Sequence, residues 1–91
     1  MTVSKVPVPA YRLMLGDVGR TVESETYRDK NKTTKPTVYR FRDGRVQRKQ
    51  RYTIRSIYVH ANGNILINDG IYLHRDTDVY FVHEEEESTA L

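Results

Sequence analysis

The residues of this chain best suited to chemistry crowd into one stretch, YRFRDGRVQRKQRYTIRS, from Tyr39 to Ser56. Seven of its eighteen residues are basic, and they are interleaved with Tyr39, Phe41, Tyr52 and Ile54. An arginine fork matches two phosphate oxygens at once and lies flat against a base, while lysine supplies a point charge. The chemistry implied is the non-covalent holding of a polyanion. If six of these cations met phosphates, log affinity would fall against log salt with a slope of roughly −5 on duplex DNA and roughly −4 on a single strand. The competing reading is that arginine merely wets the outer face of a sheet. A face of one sign argues against it, because solvated faces usually mix charges.

Bond-making chemistry has weaker support. His60, His74 and His83 could transfer protons or bind a metal, and His74 lies near Asp76 and Asp78 in sequence. Ligands and acid–base pairs must converge in space, and Asp-Thr-Asp is also an ordinary turn composition. A small ribonuclease pairing His60 or His83 with an arginine is conceivable in principle. No spacing draws those residues together, and neither a phosphate-binding glycine loop nor a Gly-x-Ser-x-Gly elbow occurs. No catalytic residue, metal ligand or cofactor is therefore assigned, and the chain reads as a binding protein rather than an enzyme. Seven of the nine aromatic residues are tyrosines. Tyr39, Tyr52, Tyr58 and Tyr72 are expected in the core wall with hydroxyls at the rim, and Tyr27, beside a basic loop, is the expected stacking platform.

The elements that must position these groups follow from turns and alternation. Asp43-Gly44 tolerates the positive φ angles of a two-residue hairpin loop, which would set Arg42 opposite Arg45, Phe41 opposite Val46, Arg40 opposite Gln47 and Tyr39 opposite Arg48. One face would then carry Arg40, Arg42, Arg45, Gln47, Lys49, Arg51, Thr53 and Arg55. The other would carry Tyr39, Phe41, Val46, Tyr52, Ile54 and Tyr58. Arg48 and Gln50 fall on the apolar side, so the strand bulges there or residues 45–50 form a loop. Asn62-Gly63 predicts pairing of Tyr58 with Ile67 and Val59 with Leu66, and Asp69-Gly70 brings Ile71 to His74 back alongside Ile65 to Asn68.

Elsewhere, residues 1–10, with Pro7 and Pro9, read as an extended or disordered arm. Tyr11 to Leu15 reads as a first strand that ends at Gly16-Asp17-Val18-Gly19. Arg20 to Glu25 resumes as a strand, Arg28 to Pro36 is a polar loop, and Val79 to Val82 is the last strand. Residues 11–83 form a single β domain in this reading, and 84–91 an acidic tail. Five to seven short strands with no helical periodicity predict a small antiparallel all-β barrel or twisted sheet. The order of a leading strand, Gly-Asp-x-Gly turn, long polar loop and tight meander resembles an SH3-like barrel in outline, with an OB-like barrel as the alternative.

Ninety-one residues allow one domain with a small core. The absence of cysteine excludes disulfides and thiolate metal sites and suits a reducing compartment. No apolar run reaches membrane-span length, so the chain reads as soluble and cytoplasmic. The net charge of +3 conceals segregation: residues 28–55 hold eleven basic and two acidic side chains, residues 56–91 one basic and seven acidic. The expected partner is nucleic acid, DNA or RNA, held with weak sequence preference by Arg40, Arg42, Arg45, Arg48, Lys49, Arg51 and Arg55, with Lys30, Lys32, Lys35 and Tyr27 extending the footprint. The alternative is a small regulator or inhibitor that docks an acidic protein partner through the same face. The run Glu84 to Glu87 is a solvated terminus, a competitor folding back on the basic face, or a contact for a basic protein.

Overall fold

A computed structural model describes residues 2–83; the acidic run expected as a tail lies outside them. Ten strands form: β1 (Thr2–Val3), β2 (Val8–Pro9), β3 (Thr21–Glu25), β4 (Tyr39–Arg40), β5 (Val46–Gln47), β6 (Lys49–Thr53), β7 (Ile57–Val59), β8 (Ile65–Ile67), β9 (Ile71–Leu73) and β10 (Asp78–His83). The fold is all-β, in the form of small twisted antiparallel sheets rather than the closed barrel of an SH3-like or OB-like outline. The long strand β10 organises the largest sheet. On one edge it pairs with β1 and β2, and on the other with β3, which in turn pairs with β6. β7, β8 and β9 make a separate meander, joined to the end of β3 by a bridge between Tyr27 and Tyr72.

Alternation explains what is buried. Along β3, Val22 and Ser24 point inward with Phe81 and Tyr52 beside them, while Glu23 and Glu25 point out. Ile65, Ile67 and Leu73 of the meander complete the core with Ile54, Val79, Ala10 and Leu13. One polar pair lies within this wall, the Ser24 and Tyr52 hydroxyls at 2.7 Å. Burial pushes the Tyr52 phenol up from 10.0 to about 12, partly offset by its bond to Ser24.

Four expectations are corrected. The segment Tyr11 to Leu15 is not a strand: two short 3-10 turns, Ala10–Arg12 and Leu15–Asp17, take its place. Ala10 and Leu13, three residues apart, both face the core, which is the 3-10 period. The Asp17 carboxylate accepts the Met14 N–H at 3.0 Å and holds the second turn. The leading arm is extended as expected, but it is ordered by pairing of β1 and β2 with β10. All three hairpins also slip by one residue from the expected register: Tyr39 faces Gln47, Tyr58 faces Leu66, and Ile67 faces Ile71.

The cause of the slip is loop length. Phe41 bonds Arg45 and His60 bonds Asn64 across loops of three residues, and each loop ends in a glycine at φ +89°. In both, the Asx side chain accepts the N–H two residues on, Asp43 from Arg45 and Asn62 from Asn64, each at 3.0 Å. This is a type I turn closed by a glycine bulge, and Asx-Gly suits it as well as the two-residue turn. The third loop, Asn68 to Gly70, places Asn68 and Asp69 at φ 55° and 60°. Asn68 is also a clasp: its side chain accepts from the Arg55 N–H and donates to the Thr53 carbonyl.

Fourth, the expected core tyrosines divide. Tyr52 and Tyr72 are half-buried in the body, whereas Tyr39 and Tyr58 are 54% and 60% exposed.

Candidate functional site

The basic stretch does not form one ribbon. It breaks at Arg48, which belongs to neither β5 nor β6, and the two halves have different surroundings. The first half is an arm: β4 and β5 pair only with each other, and every residue from 39 to 49 is exposed. Phe41 and Val46, expected beneath a sheet, are 44% and 47% exposed. The slipped register puts Val46 opposite Arg40, so cations and apolar groups share both faces of the arm. Arg45 lies over the Phe41 ring at 5.0 Å and bonds Asp43 at 2.6 Å. Among the described residues, no carboxylate pairs with Arg40, Arg42 or Arg48.

The second half belongs to the sheet. Arg51 sits opposite Glu23 and pairs with it, its Nε donating at 2.7 Å. Lys49 sits opposite Glu25, and its ammonium lies 4.2 Å from the centre of the Tyr80 ring. This face is therefore mixed in sign, as a plain solvated face would be. Gln50, a misfit by alternation, donates to the Gln47 carbonyl where the chain changes direction. Arg55 is exposed beyond the far end of β6, six residues from Lys49 and roughly 20 Å along an extended chain.

The loop before the arm contributes separately. Asn64, nearly buried, donates its side-chain amide to the Lys30 carbonyl, and Thr37 N–H bonds the Thr26 carbonyl at 2.7 Å. Both ends of the loop are thereby tied to the body. Between them lies a cleft of about 430 Å³ lined by Arg28, Lys32 and Lys35 together with Thr34, Pro36, Thr37 and Val38. A second concavity, about 600 Å³, carries Arg40, Arg48 and Lys49 along the base of the arm. The two share Val38, and neither lining includes a carboxylate. Each can hold an anion by Coulomb attraction and by hydrogen bonds from forked donors.

Of the expected contacts, then, the structure gathers Arg40, Arg42, Arg45 and Arg48 on the arm and brings Lys32, Lys35 and Lys49 into adjoining concavities. Lys30 lines neither, and Arg51 and Arg55 stand apart. Tyr27, the expected platform, is half-buried, and Tyr39 and Phe41 are exposed rings near the cations. Arg28 is the contributor that sequence reasoning missed; its place in the basic loop was the available signal. The histidines do not form a cluster. Among the described residues no group of three His, Asp or Glu side chains could hold a metal. His74 Nδ1 instead accepts the Asp76 N–H at 3.0 Å, and no described helix is long and apolar enough to cross a membrane.

No protein-family model, curated protein or solved structure matches this chain.

Proposed function

We propose that this protein is a soluble, cytoplasmic, non-catalytic nucleic-acid-binding protein whose basic arm and adjoining clefts grip phosphates. The observation that carries this reading is the arm itself, a hairpin with no face in the core whose arginines stand clear of any described carboxylate apart from the Arg45–Asp43 pair. A protruding two-stranded ribbon is a shape that enters a nucleic-acid groove or lies along a strand. Contacts made mainly to phosphates give weak sequence preference. Arg51 contributes less in this reading, because Glu23 partners it.

The test is fluorescence anisotropy of labelled duplex DNA, single-stranded DNA and RNA at about 50 and about 150 mM salt, a range across which phosphate-driven binding weakens steeply. The variant is Arg40→Ala, Arg42→Ala and Arg48→Ala combined, with melting used to show that the fold is intact. Binding by the wild type and its collapse in the folded variant are expected. Failure of the wild type to bind any of the three probes would overturn the reading and turn the search to an acidic protein partner.

A further inference from the structure

Arg28, Thr37 and Val38 line two concavities at once. On one side is the cationic cleft of Lys32 and Lys35. On the other is a smaller cavity of about 210 Å³ whose lining includes two tyrosines, Tyr27 and Tyr39. The three shared residues make these one site with two chambers, one bordered by Arg28, Lys32 and Lys35 and the other by Tyr27 and Tyr39.

The backbone explains how residues twelve apart meet there. Tyr27 is held to Tyr72 by two backbone bonds, 2.9 and 3.3 Å, which fixes it against the meander. The Thr37–Thr26 bond returns the far end of the loop to the end of β3, so that Tyr39 begins the arm beside Tyr27. The exposed ring of Tyr39 belongs to the arm, while the half-buried ring of Tyr27 belongs to the body.

We infer that this is a nucleotide subsite: one unstacked base of a single strand enters the cavity between Tyr27 and Tyr39, and its phosphate lies in the cleft of Arg28, Lys32 and Lys35. The inference rests on the nucleic-acid reading above and names the form of nucleic acid that this site takes. A base within a duplex is stacked and paired on every side, so only a single strand presents it without cost. Tyrosines bordering one chamber and basic residues bordering the next match the base and phosphate of one nucleotide, as in strand-binding grooves that combine stacking with backbone charge.

The experiment uses three labelled probes of about 12 nucleotides, within the usual footprint of such grooves: oligothymidylate, a duplex of the same length, and an abasic strand with the same number of phosphates. Wild type is compared with Tyr39→Ala, Tyr39→Phe and the pair Lys32→Ala with Lys35→Ala. The wild type is expected to bind oligothymidylate more tightly than either other probe. Tyr39→Ala should lose about 5- to 150-fold on oligothymidylate, the worth of one stacked base, and nothing on the abasic strand. Tyr39→Phe should keep the wild-type preference, and the lysine pair should weaken both strands alike. Equal wild-type affinity for the base-bearing and abasic strands, or tighter duplex binding, overturns the subsite and leaves the nucleic-acid reading standing. No binding of any probe overturns both.

Discussion

The hairpins β4–β5 and β7–β8 are built on the same turn and have opposite fates. Each closes through a three-residue loop with an Asx side chain bonding the N–H two residues on and a glycine at φ +89°. One stands wholly exposed, and the other contributes Ile65 and Ile67 to the core. The turn sets register, and strand composition decides whether the ribbon docks. Ile57, Ile65 and Ile67 remove apolar surface from water when they meet Ile54 and Leu73, at roughly 25 cal/mol per Å². The arm offers Tyr39, Phe41 and Val46, but intersperses Arg40, Arg42, Arg45 and Gln47 on both faces. Docking either face would strip water from a guanidinium without a partner, a cost that apolar contact would not offset.

Truncating one side chain in each hairpin tests this contrast most severely. Ile67→Ala removes a fully buried side chain from β8 and should cost about 2–5 kcal/mol. At roughly 4–8 °C per kcal/mol, the melting temperature should fall by more than about 8 °C. Phe41→Ala on the arm should change stability by less than about 0.5 kcal/mol. Calorimetry on both variants checks the pair, and a comparable loss at Phe41 would mean that the arm is part of the folding unit.

The same contrast shows how far the sequence was legible. Alternation located β6, and turn signals bounded β3, the meander and β10. Alternation also suggested a buried face for Tyr39, Phe41 and Val46, since an exposed ribbon can alternate just as a docked one does. Loop length was illegible at all three turns, because Asx-Gly satisfies both the two-residue and the three-residue turn. The cations of the site were legible as composition. Their division between a free arm and a face paired with Glu23 and Glu25 was not, since β3 lies more than twenty residues away in the chain. The cavity between Tyr27 and Tyr39 depends on a loop closure at Thr26 and Thr37, for which no local pattern exists.

Where the exposed stretch passes into the body, Tyr52 marks the change, and its hydroxyl is the next test. Tyr52→Phe leaves the buried Ser24 hydroxyl without its partner and should cost about 1–3 kcal/mol at neutral pH. The cost should depend on pH. The folded protein holds the Tyr52 proton to about 12, against about 10 in the unfolded chain, so between those values the native state binds more protons. Stability from this group is thus complete below pH 10 and lost as pH rises towards 12. Denaturant unfolding of wild type and variant at neutral pH and near pH 11 should show the gap narrowing at the higher pH. A constant gap would place the phenol in contact with water.

A smaller effect separates the two shared turns. Alanine at φ +89° meets the left-handed penalty of about 1–2 kcal/mol at either Gly44 or Gly63. Open space surrounds Gly44, and Gly63 has only the Arg75 side chain nearby, at 3.5 Å. The strain at Gly63 sits in a hairpin that folds with the core, so Gly63→Ala should lower the global melting temperature by about 4–8 °C per kcal/mol. The strain at Gly44 can be relieved by local opening of the arm, and the melting temperature of Gly44→Ala should stay near the wild-type value. Amide hydrogen exchange would locate the difference: faster exchange at Arg45 and Phe41 alone in Gly44→Ala, against faster exchange throughout the meander in Gly63→Ala.

The smallest expected effect is at the tip of the arm, where stability should not register at all. Arg42 has no described carboxylate partner and no place in the core, so Arg42→Ala should melt like the wild type. If it meets one phosphate, its removal should reduce the magnitude of the salt slope by about 0.7 on a single strand and about 0.9 on a duplex, for all sequences alike. Arg51→Ala provides the internal contrast, because its guanidinium is paired with Glu23 and the deletion frees a carboxylate beside β6. That variant should weaken binding mainly through the exposed negative charge, and Glu23→Gln in the same background should restore much of the affinity. Equal slope changes for Arg42 and Arg51, unaltered by Glu23→Gln, would mean that the arm and the sheet face grip the same strand and that their separation ends when the ligand arrives.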